Sequence, residues 1–197
     1  MSDSTAAIYL ARHGETEWSL NHKHTGATDI PLTPRGEANA RALAPRLQSV
    51  KFEHVFVSPR QRAKRTCELA GFGAAAVELP DLAEWNYGSY EGVTTKEIRS
   101  RRPNWELFRD GCPEGESPAE IAARADRVVA GLRSIAGNVI LFSHGHFLRV
   151  LTARWLGLEV SAGRCFMLDA AALSVLGYEH GPGDPVIRLW NERGTEC

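Results

Sequence analysis

The chain has 197 residues, 43% hydrophobic and 24% charged, and its 23 basic and 24 acidic side chains leave a formal charge of −1. That length suits one large domain with a buried core. The near-neutral balance removes any global attraction to nucleic acid or an anionic membrane, so a basic site has to be local. No apolar run reaches membrane-spanning length, and Met1–Thr5 carries neither the basic nor the apolar region of an export signal. The four cysteines, Cys67, Cys112, Cys165 and Cys197, are scattered and form no Cys-x-x-Cys pair. The expectation is a cytoplasmic protein with free thiols and no structural zinc.

Residues 6–11 are apolar almost throughout, which predicts a strand buried on both faces of a parallel sheet, ending in Arg12-His13-Gly14. The polar stretch 18–31, with His22, His24, Thr25 and Gly26, is long for a connection, which favours a binding role. Thr33-Pro34 supply the N-cap and first position of a helix whose expected apolar stripe is Ala38, Ala42, Leu43 and Leu47, with Pro45 shortening or kinking it. His54–Val57 is the second strand. Ser58-Pro59-Arg60-Gln61 then reads as N-cap, first-position proline and capping-box glutamine, which places Arg62 in the first helical turn with its charge toward the strand end.

Residues 71–76 form a small-residue linker and Val77–Leu79 a short edge strand. The loop 82–92 is aromatic, acidic and glycine-punctuated, able to wall a pocket and hang a carboxylate in it. Thr94, with Glu97 three residues on, caps a short helix to Arg102, and 104–116 is irregular. Ser117-Pro118-Ala119-Glu120 starts a helix whose Ile121, Ala125, Val128, Leu132 and Ile135 face the core. Val139–Phe142 is a third buried strand, ending in Ser143-His144-Gly145-His146. A helix over 147–156 follows and Gly157 stops it. The segments 166–168, 173–179 and 186–190 read as strands, with a turn at 181–184. Strands alternating with helices define an α/β protein, a three-layer sandwich with a mostly parallel central sheet.

If the sheet is parallel, its three strand ends share one rim and gather Arg12, His13, Arg62 and His144. The natural guest of so positive a site is a phosphate. A metal reading through His13, His144 and His146, with His22-x-His24 in reserve, meets the objection that a divalent cation would sit among fixed positive charges with few carboxylates nearby.

The motifs Arg12-His13-Gly14-Glu15, Ser58-Pro59-x-x-Arg62-Ala63-x-x-Thr66, Glu84-x-x-x-Gly88-x-x-Glu91-Gly92 and Ser143-His144-Gly145 stand in that order. They resemble those of the histidine phosphatase superfamily, with its phosphoglycerate-mutase-like fold. The resemblance implies that His13 is the phosphorylated nucleophile, that Arg12, Arg62 and His144 grip the phosphoryl oxygens, and that Glu84 is the proton donor. It implies no metal or other cofactor. Further matches, Glu15-Thr16-Glu17-Trp18-Ser19, His24-Thr25-Gly26-x-Thr28-Asp29-x-Pro31-Leu32-Thr33-Pro34, Glu84-Trp85-x-Tyr87-Gly88, Arg109-Asp110-Gly111-Cys112 and His144-Gly145-His146, are similar to the sedoheptulose-1,7-bisphosphatase-like branch. On that likeness Thr25, Gly26 and Tyr87 border the substrate, Arg109 meets a distal phosphate, and His146 walls the pocket.

The chemistry agrees with these roles. A phosphate ester needs in-line attack, neutralisation of spreading charge and a proton for the departing alkoxide. A neutral histidine attacks well if its other ring nitrogen is held as a donor, here by the Gly14 carbonyl. The expected His144 is protonated among phosphate oxygens, and Glu84 arrives protonated and later acts as base on water. The reading is a phosphatase for a small phosphorylated metabolite, a sugar phosphate or bisphosphate. A single domain, 1–197, carries it, with 84–116 covering the pocket, and a homodimer stands as a candidate assembly. The alternatives are a phosphoglycerate-type mutase, disfavoured because the chain leaves little room for a large lid, and a phosphohistidine-protein phosphatase or regulatory module.

Overall fold

The computed structural model describes residues 6–194, so Met1–Thr5 and Cys197 lie outside the described residues. Strands β1 (Ile8–Arg12), β2 (His54–Val57), β3 (Ala76–Glu78), β4 (Val139–Ser143), β5 (Leu173–Tyr178) and β6 (Pro185–Glu192) form one sheet in the order β3-β2-β4-β1-β5-β6. The first four in that order run parallel; β5 and β6 are antiparallel additions at the β1 side. The helices are α1 (Glu17–Leu20), α2 (Pro34–Arg41), α3 (Ala44–Leu47), α4 (Gln61–Leu69), α5 (Thr95–Arg101), α6 (Leu107–Asp110), α7 (Pro118–Arg133) and α8 (Gly145–Trp155).

Every residue of β4 is buried, because both of its faces are covered. Alternate side chains divide between two cores. Ile8, Leu10, Val139 and Leu141 pack with α7 and α8, whereas Ala11, Ile140 and Phe142 pack with Leu43, Leu47, Ala63 and Cys67. This makes the three-layer sandwich. The helix starts at Thr94 and Ser117 are capping boxes with Glu97 and Glu120, as their sequences predict. Helix α7 buries Ile121, Ala125, Val128, Val129 and Leu132, while Ile135 lies beyond its end.

Four local readings are corrected. The stripe on α2 and α3 is Gly36, Ala40, Leu43 and Leu47, and Ala38 and Ala42 are exposed. A Cβ on Gly36 would lie 2.1 Å from the Glu15 carbonyl oxygen, so the helix turns its smallest residue to the β1 end. Ser58 caps no helix. Arg60 is the N-cap of α4, and the Asp29 carboxylate caps it from a distance by accepting from Gln61 N at 2.8 Å. Residues 166–168 form no strand, since the Met167 and Leu168 carbonyls accept from Trp190 Nε1 and Arg12 Nη1 instead of a neighbouring strand. The stretches 18–31 and 104–116 are not wholly irregular, for α1 and α6 occupy parts of them. Among the described residues no helix is long and apolar enough to cross a membrane.

Candidate active site

The parallel register brings three strand ends level, with Arg12 opposite Ser143 and Val57 opposite Phe142. His13 follows β1 and its N–H donates to the Ser143 carbonyl at 2.9 Å, which fixes its backbone to β4. Its Nδ1 lies 2.7 Å from the Gly14 carbonyl oxygen. A carbonyl only accepts, so Nδ1 carries the proton and Nε2 keeps the lone pair. His13 is 4% exposed. Burial first, then Arg62 and Arg12, hold its imidazole well below the ordinary histidine value, so it is neutral at pH 7.

Behind His13, Gly14 N donates to Thr66 Oγ1 at 3.0 Å and that hydroxyl donates to the Arg62 carbonyl at 2.7 Å. The threonine of the second motif thus ties α4 to the end of β1. A Cβ on Gly14 would stand 2.3 Å from the Gly36 carbonyl oxygen, a contact only glycine permits.

Arg62 is fully buried and donates to backbone carbonyls, Nη1 to Thr28 O at 3.0 Å and Nη2 to Thr25 O at 2.9 Å and Gly26 O at 3.1 Å, with the Asp29 carboxylate 3.9 Å from Nη1. The opposite polarity of the same turn is held by Glu91, whose carboxylate accepts from Gly26 N at 2.9 Å and Thr28 N at 3.0 Å. The turn 25–28 is clamped between a cation on its carbonyls and an anion on its amides.

His144 has Nε2 2.6 Å from Ser58 Oγ. That hydroxyl oxygen accepts from Arg60 N at 3.4 Å, leaving its proton for Nε2. Burial, then Arg62, His13 and Arg12, hold His144 well below the usual histidine value. Beside these guanidinium groups His144 is neutral. With Ser58 donating to Nε2, it still presents a proton on Nδ1. The Nε of Arg12, the Nε of Arg62 and Nδ1 of His144 are buried with no hydrogen-bond partner among the described residues. Such groups are costly to leave bare, and each has a donor's need for an acceptor.

Glu84 hangs from the loop after β3 onto the start of α8. Its Oε1 accepts from Trp85 N at 2.9 Å and Phe147 N at 2.8 Å; among the described residues Oε2 accepts only from His146 N, at 3.0 Å. Oε2 therefore retains a lone pair for a proton. The Tyr87 hydroxyl and His146 Nδ1 share a hydrogen bond of 2.6 Å, and His24 stacks on His146 at 6.0 Å between ring centres. Burial holds His146 below and Tyr87 above their usual values, so both are uncharged.

Arg12, His13, Thr25, Glu84, Tyr87 and His146 line one cavity of about 250 Å³. Arg62 and His144 stand sealed beneath it, the His144 ring 5.1 Å from that of His13. Gly26 is not on the lining: a Cβ there would meet the Trp85 carbonyl oxygen at 2.4 Å, so its role is to let the turn pack. Arg109 is not brought to the cavity either. It is exposed and chelates Asp110 at 2.9 and 2.8 Å, lowering that carboxylate to about 2. Ser19 lines the cavity, but its hydroxyl completes the capping box of α1 with Thr16. Among the described residues no group of three or more His, Cys, Asp or Glu side chains is disposed to hold a metal ion.

Sequence reading passed over Glu91, Ser58 and Asp29 as site-builders. Glu91 and Ser58 carried a signal, since both are motif positions beside residues given roles. Asp29 is a motif position too, but its part as a cap supplied from 32 positions away leaves no local pattern.

A family model described as histidine phosphatase superfamily (branch 1) matches residues 8–193. An acid phosphatase of Mycobacterium tuberculosis is 42% identical over 178 residues, covering 88% of this chain and 87% of that protein. The sedoheptulose 1,7-bisphosphatase of Saccharomyces cerevisiae is 30% identical, covering 96% and 94%. The solved structure of the open reading frame Rv3214 product from Mycobacterium tuberculosis superposes with a TM-score of 0.91 at 38% identity, covering 96% of this chain and 98% of that one.

Proposed function

The chain belongs to the histidine phosphatase superfamily, and from that premise we propose that it hydrolyses a small phosphorylated metabolite, a sugar phosphate or bisphosphate, through a phosphohistidine at His13. The observation that carries this reading is the locked tautomer of His13, with Nδ1 on the Gly14 carbonyl and a lone pair on Nε2 beside the Arg12 and Arg62 guanidinium groups, whose buried Nε atoms have no hydrogen-bond partner among the described residues. The names of the two relatives, an acid phosphatase and a sugar bisphosphatase, support the substrate class.

In the first step Nε2 of His13 attacks phosphorus, the P–N bond forms and the ester P–O bond breaks. The proton on Glu84 Oε2 passes to the leaving oxygen. Arg12, Arg62 and the Nδ1–H of His144 meet the charge that spreads over the phosphoryl oxygens. In the second step the Glu84 carboxylate takes a proton from water as that water attacks phosphorus. The P–N bond breaks, its electrons return to Nε2, and inorganic phosphate leaves. Neither step calls on a metal or cofactor. We read residues 1–197 as one domain, with 84–116 covering the pocket.

The test is a panel of phosphorylated metabolites incubated with the purified protein, with and without a chelator. Phosphate release unaffected by the chelator is expected. No release from any ester, or release abolished by the chelator, contradicts the reading. Isomerisation outrunning hydrolysis when a phosphorylated acceptor is added would move it to a mutase.

A further inference from the structure

Among the described residues the side-chain hydrogen bond of Arg12 runs from Nη1 to the Leu168 carbonyl at 2.5 Å, and its buried Nε is left for a phosphoryl oxygen. Leu168 belongs to the stretch 167–172, which lies outside every strand and helix. This stretch meets β1 again where Ala171 N donates to the His13 carbonyl at 3.0 Å and the Ala172 carbonyl accepts from Arg12 N at 3.2 Å. Ala171 stands in left-handed backbone at φ 52°, a conformation alanine keeps only when its surroundings hold it. With no ladder of its own, such a stretch needs partners for its polar groups from elsewhere in the fold.

Strand β6 supplies them. Its register with β5 slips between the pairs Leu173–Glu192 and Val175–Leu189, so Trp190 and Asn191 stand opposite Ser174 alone, a β-bulge. Asn191 is left-handed at φ 54°, a region asparagine enters more readily than most residues, and its N–H donates to the buried Ser174 Oγ at 3.0 Å. The bulge turns both side chains onto 167–169. Trp190 Nε1 donates to the Met167 carbonyl at 2.6 Å, and Asn191 Oδ1 accepts from Asp169 N at 2.7 Å. A backbone N–H only donates, which puts the amide oxygen there and leaves Nδ2 to donate to the Asp169 carboxylate at 3.0 Å. Only an amide serves both groups of Asp169 at once. The N–H of Asp169 and the C=O of Leu168 belong to one planar trans peptide and point opposite ways. Holding one edge of that peptide therefore aims the other at Arg12. Building on the phosphatase reading, we propose that Asn191 is a positioning residue for the reaction: through the Leu168–Asp169 peptide it sets the angle of the Arg12 guanidinium, and so the fit of that group to the phosphoryl oxygens in the transition state.

The test is a double-mutant cycle on the full chain, read by hydrolysis of 4-nitrophenyl phosphate, with urea denaturation to confirm that each variant is folded. Asn191→Gly keeps the left-handed backbone and removes both side-chain bonds. It is expected to lower kcat/KM by about 10-fold, with kcat falling more than KM rises, because Arg12 meets charge that develops on the way to the transition state. In an Arg12→Met background, where nothing remains to be aimed, the same substitution should change kcat/KM by less than about 2-fold. A purely structural role would cost the same factor in both backgrounds. Affinity for inorganic phosphate, measured by calorimetry, reads the same cycle where turnover is too slow. If Asn191→Gly does not fold, Asn191→Asp carries the cycle: it keeps an acceptor for Asp169 N but sets a second carboxylate beside that of Asp169, with an expected loss of about 3-fold. An equal loss in both backgrounds, or no loss in the unaltered one, overturns the proposal. Absence of hydrolysis by the unaltered protein sinks the phosphatase reading itself, while hydrolysis indifferent to Asn191 sinks this inference alone.

Discussion

Around His13 almost every side chain is positioned by the sheet: β1, β2 and β4 end level, and the motif residues follow those ends within a few positions. The wall opposite is positioned by long-range side-chain contacts. Glu84 is oriented by amides of α8, His24 by the Val93 carbonyl, and Arg149 by the backbone of the stretch 160–165. A floor set by strand register tolerates little change, because moving one residue moves the whole rim. A wall set by separate contacts can change its lining without disturbing the chemistry. The difference suggests why a phosphate grip is so readily separated from substrate choice in such a fold.

Removing Arg62 should show the floor's rigidity most strongly. Arg62→Met takes away a phosphate-facing charge and leaves the carbonyls of Thr25, Gly26 and Thr28 without their donor. A loss of about 10³-fold in kcat/KM and of about 3 kcal/mol in unfolding free energy is expected, read by steady-state kinetics and urea denaturation. A variant with full stability and only slower turnover would mean that the clamp on the 25–28 turn is carried by Glu91 alone.

Acid should act on the same region. His13, His144 and His146 are all held well below the ordinary histidine value, with burial the first cause in each. Each stays neutral in the fold but takes a proton on unfolding once the pH drops below about 6.5. The unfolded state then binds more protons, so stability is complete above that pH and is lost as pH falls. The expected slope is about 1.4 kcal/mol per pH unit per histidine, roughly 4 for the three together. Urea titrations at pH 8, 6.5 and 5.5 measure it, and equal stability at 6.5 and 5.5 would contradict the buried, neutral assignment.

The smallest effect belongs outside the wall. Arg109→Ala removes an exposed ion pair with Asp110, and turnover of every ester should change by less than about 3-fold. A selective loss on bisphosphates would restore Arg109 to the site.

The sequence made the floor legible because strand ends leave compact signatures: an apolar run closed by Arg12-His13, and another closed by His144. Parallel alternation then implies one rim. The Gly14 carbonyl as partner for His13 was readable too, since it is the adjacent residue. What was not readable depends on distant contacts. Ser58 looks like a helix cap in its local context, yet its hydroxyl serves His144, 86 positions away. Arg109 looks available, and only the folded chain shows its side chain turned onto its neighbour. Arg149 lies within a helical run like many solvated arginines; the packing of α8 against residues 160–165 is what places it on the cavity wall.

The central claim is that His13 carries the phosphoryl group. Mixing the protein with a turned-over ester, quenching in alkali and mapping the adduct by mass spectrometry tests it most directly. The account predicts an acid-labile, alkali-stable phosphoryl group on His13, formed with or without chelator, and its absence in His13→Ala together with activity. An adduct on another residue, or full turnover by His13→Ala, would contradict it.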